Sequence, residues 1–198
     1  MEKNNEFDIE YIKKIASDIA QNTVVSYEDL PRYDLFLSQV IDYLNDKFED
    51  EKYTSNIVQN YIKGEVISKP DDGKKRGYTK DHLAQLLLLS YMRPILTTEE
   101  IKKVFGLAFN NINNRNDDIL SWEKAYKIFS NLQAEMFNDF LSENHFKESK
   151  LKDIIKDNSL KGSDEERILV FLIVMSLIAQ ASAIKKLARK IVDEYNQG

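Results

Sequence analysis

A short polar stripe near residue 60 carries the side chains that are best suited to contact with a partner. These residues recur at i, i+3, i+4 and i+7, so they share one face of any helix that spans them. They are Asn56, Gln59, Asn60 and Lys63. Asn and Gln amides bond bidentately to adenine edges in a major groove, and Lys reaches phosphate or guanine. The stripe therefore predicts a base-reading helix, and an ordinary solvated helix face is the alternative.

The flanking residues predict where this helix begins and ends. Thr54 suits the N-cap, because its hydroxyl accepts an unpaired amide of the first turn, and Ser55 follows it. Gly64 is placed for a left-handed C-terminal residue. The face opposite the stripe is apolar, as a face buried in a core would be. Its residues are Ile57, Val58, Tyr61 and Ile62.

A basic loop follows the helix directly. Residues 66–69 and 76–79 are short β-prone runs, and the Pro-Asp-Asp-Gly sequence of residues 70–73 between them is typical of a turn. The loop then carries three consecutive cations, Lys74, Lys75 and Arg76, close to Tyr78. Alone, this run would predict a solvated loop. After a short polar helix it predicts a β-hairpin wing that binds phosphates without reading sequence.

Groups that support catalysis are scarce in this chain. It has no cysteine, two histidines far apart in sequence (His82 and His145), and none of the P-loop, GxGxxG, GxSxG or HExxH patterns. His82 stands at a predicted helix start without a second histidine nearby, which favours a structural role. The Asn-rich stretch at 110–118 lacks the ligand spacing of a calcium loop and predicts a connector. We therefore expect no enzymatic activity, no metal and no cofactor.

Charge is distributed unevenly along the chain. The net charge is −5, yet residues 52–103 hold ten Lys/Arg and six Asp/Glu, whereas residues 1–51 hold five and thirteen. The positive excess thus coincides with the polar helix and the basic loop, as expected for contact with nucleic acid. The first ten residues lack the apolar core of a secretory signal, and together with the absence of cysteine this predicts a cytoplasmic protein.

Helical periodicity covers most of the remaining chain. It predicts amphipathic helices at 7–21, 33–48, 81–92, 99–105 and 120–141, the last with an aromatic face. The last predicted helix, 165–195, contains twelve mostly apolar residues at 168–179. A membrane span needs about twenty, so this helix is expected to be fully buried in a helical lobe or a subunit interface. The fold class predicted is mainly α.

Residues 34–105 resemble the winged helix-turn-helix of MerR-type bacterial transcription regulators. The resemblance is carried by Tyr61 in the second helix, by the exit of residues 64–70 with its Gly, Val-Ile pair and Pro, and by Arg76-Gly77-Tyr78 in the wing. The exit segment, residues 64–70, is one residue longer than in the usual MerR form. About thirty residues precede the winged helix-turn-helix, which we call the head. The whole chain also resembles uncharacterised bacterial proteins classed as a domain of unknown function.

The resemblance implies a MerR-like head with one small hairpin wing, followed by an all-helical lobe. The predicted division is an N-terminal helix and connector at 1–30, a DNA-binding domain at 31–106, and a dimerisation or effector lobe at 107–198. The residues expected at DNA are those of the stripe, the cap and the wing: Thr54, Ser55, Asn56, Gln59, Asn60, Lys63, Lys74, Lys75, Arg76 and Tyr78. The partners expected are double-stranded DNA and a second copy bound through the C-terminal helices, with no membrane.

Two other functions stay open on the sequence. The acidic N-terminal segment and the nearly neutral C-terminal segment are compatible with a protein-interaction module that keeps the winged shape without binding DNA. The aromatic face at 120–141 is compatible with the wall of a small-molecule effector pocket.

Overall fold

The protein is mainly helical, as predicted. A computed structural model describes residues 24–48, 52–70, 77–142 and 162–196, with isolated positions at 11, 14, 15, 153 and 156. A 3-10 turn at Tyr27–Asp29 precedes the helices, which we number in chain order. They are α1 (Leu37–Lys47), α2 (Ser55–Lys63), α3 (Lys80–Met92), α4 (Thr98–Phe105), α5 (Trp122–Ser142) and α6 (Ser163–Tyr195). The helix predicted at 7–21 lies outside the described residues except at 11, 14 and 15, which are helical.

Local capping sets the starts of the short helices. Thr54 caps α2, because its hydroxyl accepts the amide of Ile57 at 3.3 Å. Thr97 and Glu100 form the reciprocal capping box of α4: the Thr97 hydroxyl accepts the Glu100 amide at 3.3 Å, and the Glu100 carboxylate accepts the Thr97 amide at 2.6 Å. The Thr54 cap was predicted above, and the sequence Thr97-Thr98-Glu99-Glu100 has the spacing that predicts a capping box. Both caps satisfy amides that the helix itself leaves unpaired.

Extended structure is sparse in the described ranges. It consists there of two isolated antiparallel bridges, Leu35 with Tyr78 and Asn111 with Asn114. The first run predicted as a wing strand, residues 66–69, forms no strand. Side chains take its amides instead: Gln85 accepts the Ser68 amide at 2.8 Å, and Asn113 accepts the Lys69 amide at 3.0 Å. The predicted hairpin wing is therefore not confirmed, and its turn and cationic tip at 71–76 lie outside the described residues.

The chain divides into two compact units. One comprises residues 25–131 with 188–198, and its core joins α1 to α4 with the start of α5. The ring of Phe109 stacks on Trp122 with centroids 3.4 Å apart. The hydroxyl of Tyr126 donates to the carbonyl of Val25 at 2.8 Å. This unit thus continues past residue 106, where the sequence predicted a division, because the first two turns of α5 supply part of its core.

The other unit comprises residues 1–24 with 132–187. Its described part holds the end of α5 and most of α6. Ile173 is buried, but Phe171, Val174 and Ile184 are exposed. The last helix is therefore not fully buried within a single chain, since most of its described large apolar side chains are exposed, and burial in a subunit interface stays a prediction. Among the described residues, no helix has the length and apolarity needed to cross a membrane.

Candidate nucleic-acid interface

Six of the residues predicted to contact DNA lie together at α2. Thr54, Ser55, Asn56, Asn60 and Lys63 are exposed, and Gln59 is half-buried. On the opposite face, Val58 and Ile62 are buried in the core, and Ile57 and Tyr61 pack partly against it. The helix therefore presents amide and ammonium groups outward while its apolar face holds it in place. The predicted wing contacts Lys74, Lys75 and Arg76 lie outside the described residues.

Tyr78 lies in the core rather than on the surface. It is 5% exposed, its backbone pairs with Leu35 in both directions at 2.9 and 3.3 Å, and its ring meets His82 edge-on at 5.8 Å. Burial raises the pKa of the Tyr78 hydroxyl. The backbone pairing with Leu35 and the ring contact with His82 therefore hold the segment after the predicted wing against the residues before α1 and against α3. The side chain does not reach outward as the sequence predicted. The apolar body of a tyrosine favours such burial.

An asparagine fixes the turn between α1 and α2. The side-chain amide of Asn45 donates to the Tyr53 carbonyl at 3.1 Å, and its oxygen accepts the Tyr53 amide at 2.6 Å. Asn45 thus pairs with both backbone groups of a residue eight positions later, just before α2 begins. Sequence reasoning missed this residue, because a polar residue in the last turn of a helix is ordinary and only its spatial neighbour reveals the role.

Tyr53 also links this turn to α3. Its hydroxyl lies 2.8 Å from the Ser90 hydroxyl, which donates to the Leu86 carbonyl at 2.7 Å. The guanidinium of Arg93 lies over the Tyr53 ring at 4.7 Å. Burial raises the pKa of Tyr53. The start of α2 is therefore held on one side by α1 and on the other by α3, so the polar face has a defined direction.

The end of α2 differs from the prediction for Gly64. Gly64 has φ −78°, and the left-handed residue is Glu65, with φ 54°. The Glu65 amide donates to the Ile62 carbonyl at 3.0 Å, and the Val66 amide donates to the Tyr61 carbonyl at 2.9 Å. This is the Schellman arrangement with Glu65 at the position that usually holds glycine. The motif is displaced by one residue because Val66 must reach the core, where it is 1% exposed.

His82 is a structural residue, as predicted. Its Nδ1 accepts the Thr79 amide at 3.1 Å, so the ring proton lies on Nε2, which donates to the Lys69 carbonyl at 3.1 Å. Gln85, one turn further along α3, accepts both the amide and the hydroxyl of Ser68. These two buried side chains hold the exit of α2 against α3. In the described part of the chain, no group of three or more His, Cys, Asp or Glu residues is placed to hold a metal ion.

The compact unit that contains α2 coincides with a family match. A family model described as a domain of unknown function, DUF1836, matches residues 25–129. The chain belongs to the DUF1836 family. An uncharacterised protein of Bacillus subtilis (strain 168), YkrK, is 29% identical over 92 residues, which is 45% of this chain and 38% of that relative. The match thus spans less than half of the relative's length. No solved structure matches the chain.

The Asn-rich connector lies inside the DUF1836 domain and braces the candidate site. The side chain of Asn113 accepts the Lys69 amide, and the Arg115 guanidinium pairs with the Asp81 carboxylate at 2.8 Å. The connector is itself stabilised by side chain to backbone bonds, such as the Asn111 oxygen to the Asn113 amide at 3.0 Å. It therefore clamps the exit of α2 to the start of α3, a role beyond the simple connection that the sequence predicted.

A cleft of about 430 Å³ lies beside the same exit. Its lining includes Glu65 and Val66, which follow α2, and Lys102 and Phe105 of α4. Phe109 and the connector amides complete it. The six outward-facing residues at α2 and this cleft belong to the DUF1836 domain, whereas α6 lies beyond the matched residues.

Proposed function

We propose that this protein binds double-stranded DNA as a sequence-specific transcription regulator, with α2 as the recognition helix. The observation that supports this most directly is the exposed face of α2, where Asn56, Asn60 and Lys63 stand beside half-buried Gln59. A nine-residue helix is about 14 Å long and, with its side chains, about 10–12 Å across. A major groove about 12 Å wide accepts such a helix.

The contacts that fix α2 in position also support a role for this helix in reading base sequence. Direct readout requires that amides meet base edges at hydrogen-bond distance, so the helix that carries them must be rigid. The Asn45–Tyr53 pairing, the Thr54 cap and the Glu65 turn fix α2 at both ends. Two consecutive helices, here joined by residues 48–54, with polar residues exposed on the second, resemble the order of elements in a helix-turn-helix. We extend this to a MerR-type winged form in which Lys74, Lys75 and Arg76 bind phosphates.

A two-fold dimer is part of the proposal. One helix reaches only a few base pairs, and helix-turn-helix proteins bind two half-sites about one helical turn apart through a symmetric dimer. The C-terminal helices supply the pairing, and no enzymatic activity or cofactor is required. The protein-interaction module is the competing function, and the exposed carboxylate of Glu65 at the end of the polar face favours it over phosphate contact there.

Fluorescence anisotropy on random-sequence duplex DNA tests the proposal. A protein that neutralises about four to six phosphates loses affinity steeply as salt rises, with a log–log slope of about −4 to −5. We expect measurable binding at about 50 mM salt that weakens with that slope. Absence of binding at this salt by folded, dimeric protein would exclude DNA and leave the interaction module as the function.

Two variants separate base reading from phosphate binding. Gln59→Ala is expected to change which sequence is preferred in a selection from random duplexes, whereas the double change Lys75→Ala and Arg76→Ala weakens all sequences alike and lowers the salt slope by about 2. Lys124→Ala, an exposed lysine on α5, is the matched control for loss of charge. If both variants bind as the wild type does, α2 and the loop at 71–76 are not the contact surface.

A further inference from the structure

The cleft beside the exit of α2 is lined in part by a fixed aromatic pair. Phe105 and Phe109 both line it, and their rings meet edge to face with centroids 6.2 Å apart. Trp122, which is not among the lining residues, stacks on Phe109 at 3.4 Å and meets Phe105 edge-on at 5.1 Å. Because a third ring holds both, this apolar surface is ordered before any ligand arrives, which lowers the entropic cost of binding.

Two asparagines of the connector bring hydrogen-bond donors to the same cleft. The side-chain oxygen of Asn111 accepts the Asn113 amide at 3.0 Å, and that of Asn113 accepts the Lys69 amide at 3.0 Å. These bonds identify the oxygen of each side chain, so the other atom is the NH2 group with its two donors. Within the described part of the chain, neither NH2 group donates to another residue. The cleft therefore has donors in place for an acceptor from outside.

The charges of the lining residues are balanced. Lys102 is half-buried, and its ammonium meets Glu99 at 3.4 Å, a residue that does not line the cleft. Glu65 is the carboxylate among the lining residues, and its backbone is fixed by the turn that ends α2. One cation and one anion match a ligand that carries both signs, whereas a nucleotide or another polyanion would meet repulsion from Glu65.

We propose that this cleft binds a small zwitterion with an apolar body, namely a free apolar amino acid or a dipeptide of such residues. The carboxylate of the ligand binds the Lys102 ammonium and the asparagine NH2 groups, and the ammonium of the ligand binds Glu65. The apolar side chain of the ligand packs on Phe105 and Phe109. The volume of about 430 Å³ lies within the range of small-molecule sites, about 300–1,000 Å³. This site is separate from DNA binding and does not depend on it.

Isothermal titration calorimetry of the full chain with L-phenylalanine and L-leucyl-L-phenylalanine tests the site. We expect saturable binding of at least one of them, with a matching rise in the melting temperature. N-acetyl-L-phenylalanine lacks the ammonium and L-phenylalaninamide lacks the carboxylate. Each should bind about tenfold or more weakly than L-phenylalanine, because a charged group of the cleft loses its partner.

Two results would overturn the proposal. One is the absence of both heat and thermal stabilisation with either zwitterion at about 10 mM, since a ligand that binds the native state must stabilise it. The other is binding of N-acetyl-L-phenylalanine as tight as that of L-phenylalanine, which would mean that a simple carboxylate is sufficient and that Glu65 holds no ammonium.

Substitutions in the cleft assign the two charged contacts. Lys102→Met and Glu65→Gln keep the side-chain length and remove the charge, and each should raise the Kd for the zwitterion that binds by about tenfold or more. The matched controls are Lys124→Met on α5 and Glu99→Gln on α4, both exposed and outside the lining, and they should bind as the wild type does. Circular dichroism of the free variants checks that they are folded. Equal affinity in all four folded variants would refute the assignment of the site to this cleft.

Discussion

Two tyrosine hydroxyls in the compact unit of α2 are buried in different ways. That of Tyr126 donates to the Val25 carbonyl at 2.8 Å, while that of Tyr43 is enclosed with no hydrogen-bond partner among the described residues. Burial raises the pKa of Tyr126 strongly and that of Tyr43 to about 12. The first hydroxyl stabilises the fold by linking α5 to the segment before the 3-10 turn, whereas the second is desolvated without compensation.

We predict that Tyr126→Phe lowers the free energy of unfolding by about 1–2 kcal/mol, since it removes the hydrogen bond to the partly buried Val25 carbonyl. Tyr43→Phe removes a hydroxyl that lacks a described partner, so it should change stability by less than about 0.5 kcal/mol or raise it slightly. Urea unfolding followed by circular dichroism measures both. Equal destabilisation by the two substitutions would contradict the difference in their hydrogen bonding.

Glu65 is strained by its left-handed backbone, with φ 54°. We predict that Glu65→Gly raises the free energy of unfolding by about 1 kcal/mol, because glycine has no Cβ to clash with the carbonyl in this conformation. Glu65→Ala keeps the Cβ and serves as the control, with little change expected. A gain from alanine that equals the gain from glycine would show that the carboxylate, not the backbone, causes the strain.

At the scale of the elements, one side chain joins α1 to the residue before α2. Asn45 makes both of its side-chain bonds to Tyr53 at the turn. Because these bonds join the two helices, the direction of the polar face of α2 depends on them. The Asn-rich connector does the same at the other end of α2, through Asn113 and Arg115.

We predict that Asn45→Ala lowers the free energy of unfolding by about 1–3 kcal/mol, because two backbone groups of a buried residue lose their partners. If α2 reads bases, the variant should also weaken binding without changing which sequence is preferred, since the reading residues are intact. Calorimetry and anisotropy measure the two effects. The control is Asp42→Ala, an exposed position on α1. An Asn45 variant as stable as this control would refute the anchoring role.

The whole molecule is expected to lose stability in alkali. Burial raises the pKa values of Tyr27, Tyr43 and Tyr91 to about 12, and it raises that of Tyr126 further. An unfolded tyrosine ionises near pH 10. The folded state therefore keeps protons that the unfolded state releases, so stability is complete below about pH 10 and falls as pH rises toward 12.

We predict a urea midpoint that is steady from about pH 7 to 9 and drops steeply above pH 10, together with a cooperative rise in tyrosinate ultraviolet absorbance. Tyr27→Phe should make the drop shallower, since one of the groups with a raised pKa is removed. A midpoint that does not change up to pH 11 would contradict the burial of these rings.

Prediction from the sequence succeeded for the helices α1 to α6 and for the caps of α2 and α4, and it placed the exposed stripe of α2. It failed for Gly64, for the strand at 66–69 and for the direction of Tyr78. In each failure the deciding contact joins residues distant in sequence: Val66 to the core, Ser68 to Gln85, and Tyr78 to Leu35. Local propensity carries no information on such contacts.

By itself, the sequence determined the helical elements, their caps and the face of α2 that can meet a partner. These follow from the 3.6-residue period and from side chains bonding within three or four positions. Only the tertiary structure decided that the start of α5 belongs to the core of the DUF1836 domain and that Asn45, Gln85 and Asn113 hold α2. Burial depends on which faces meet in space, and hydrophobic contact carries no direction that the sequence alone could reveal.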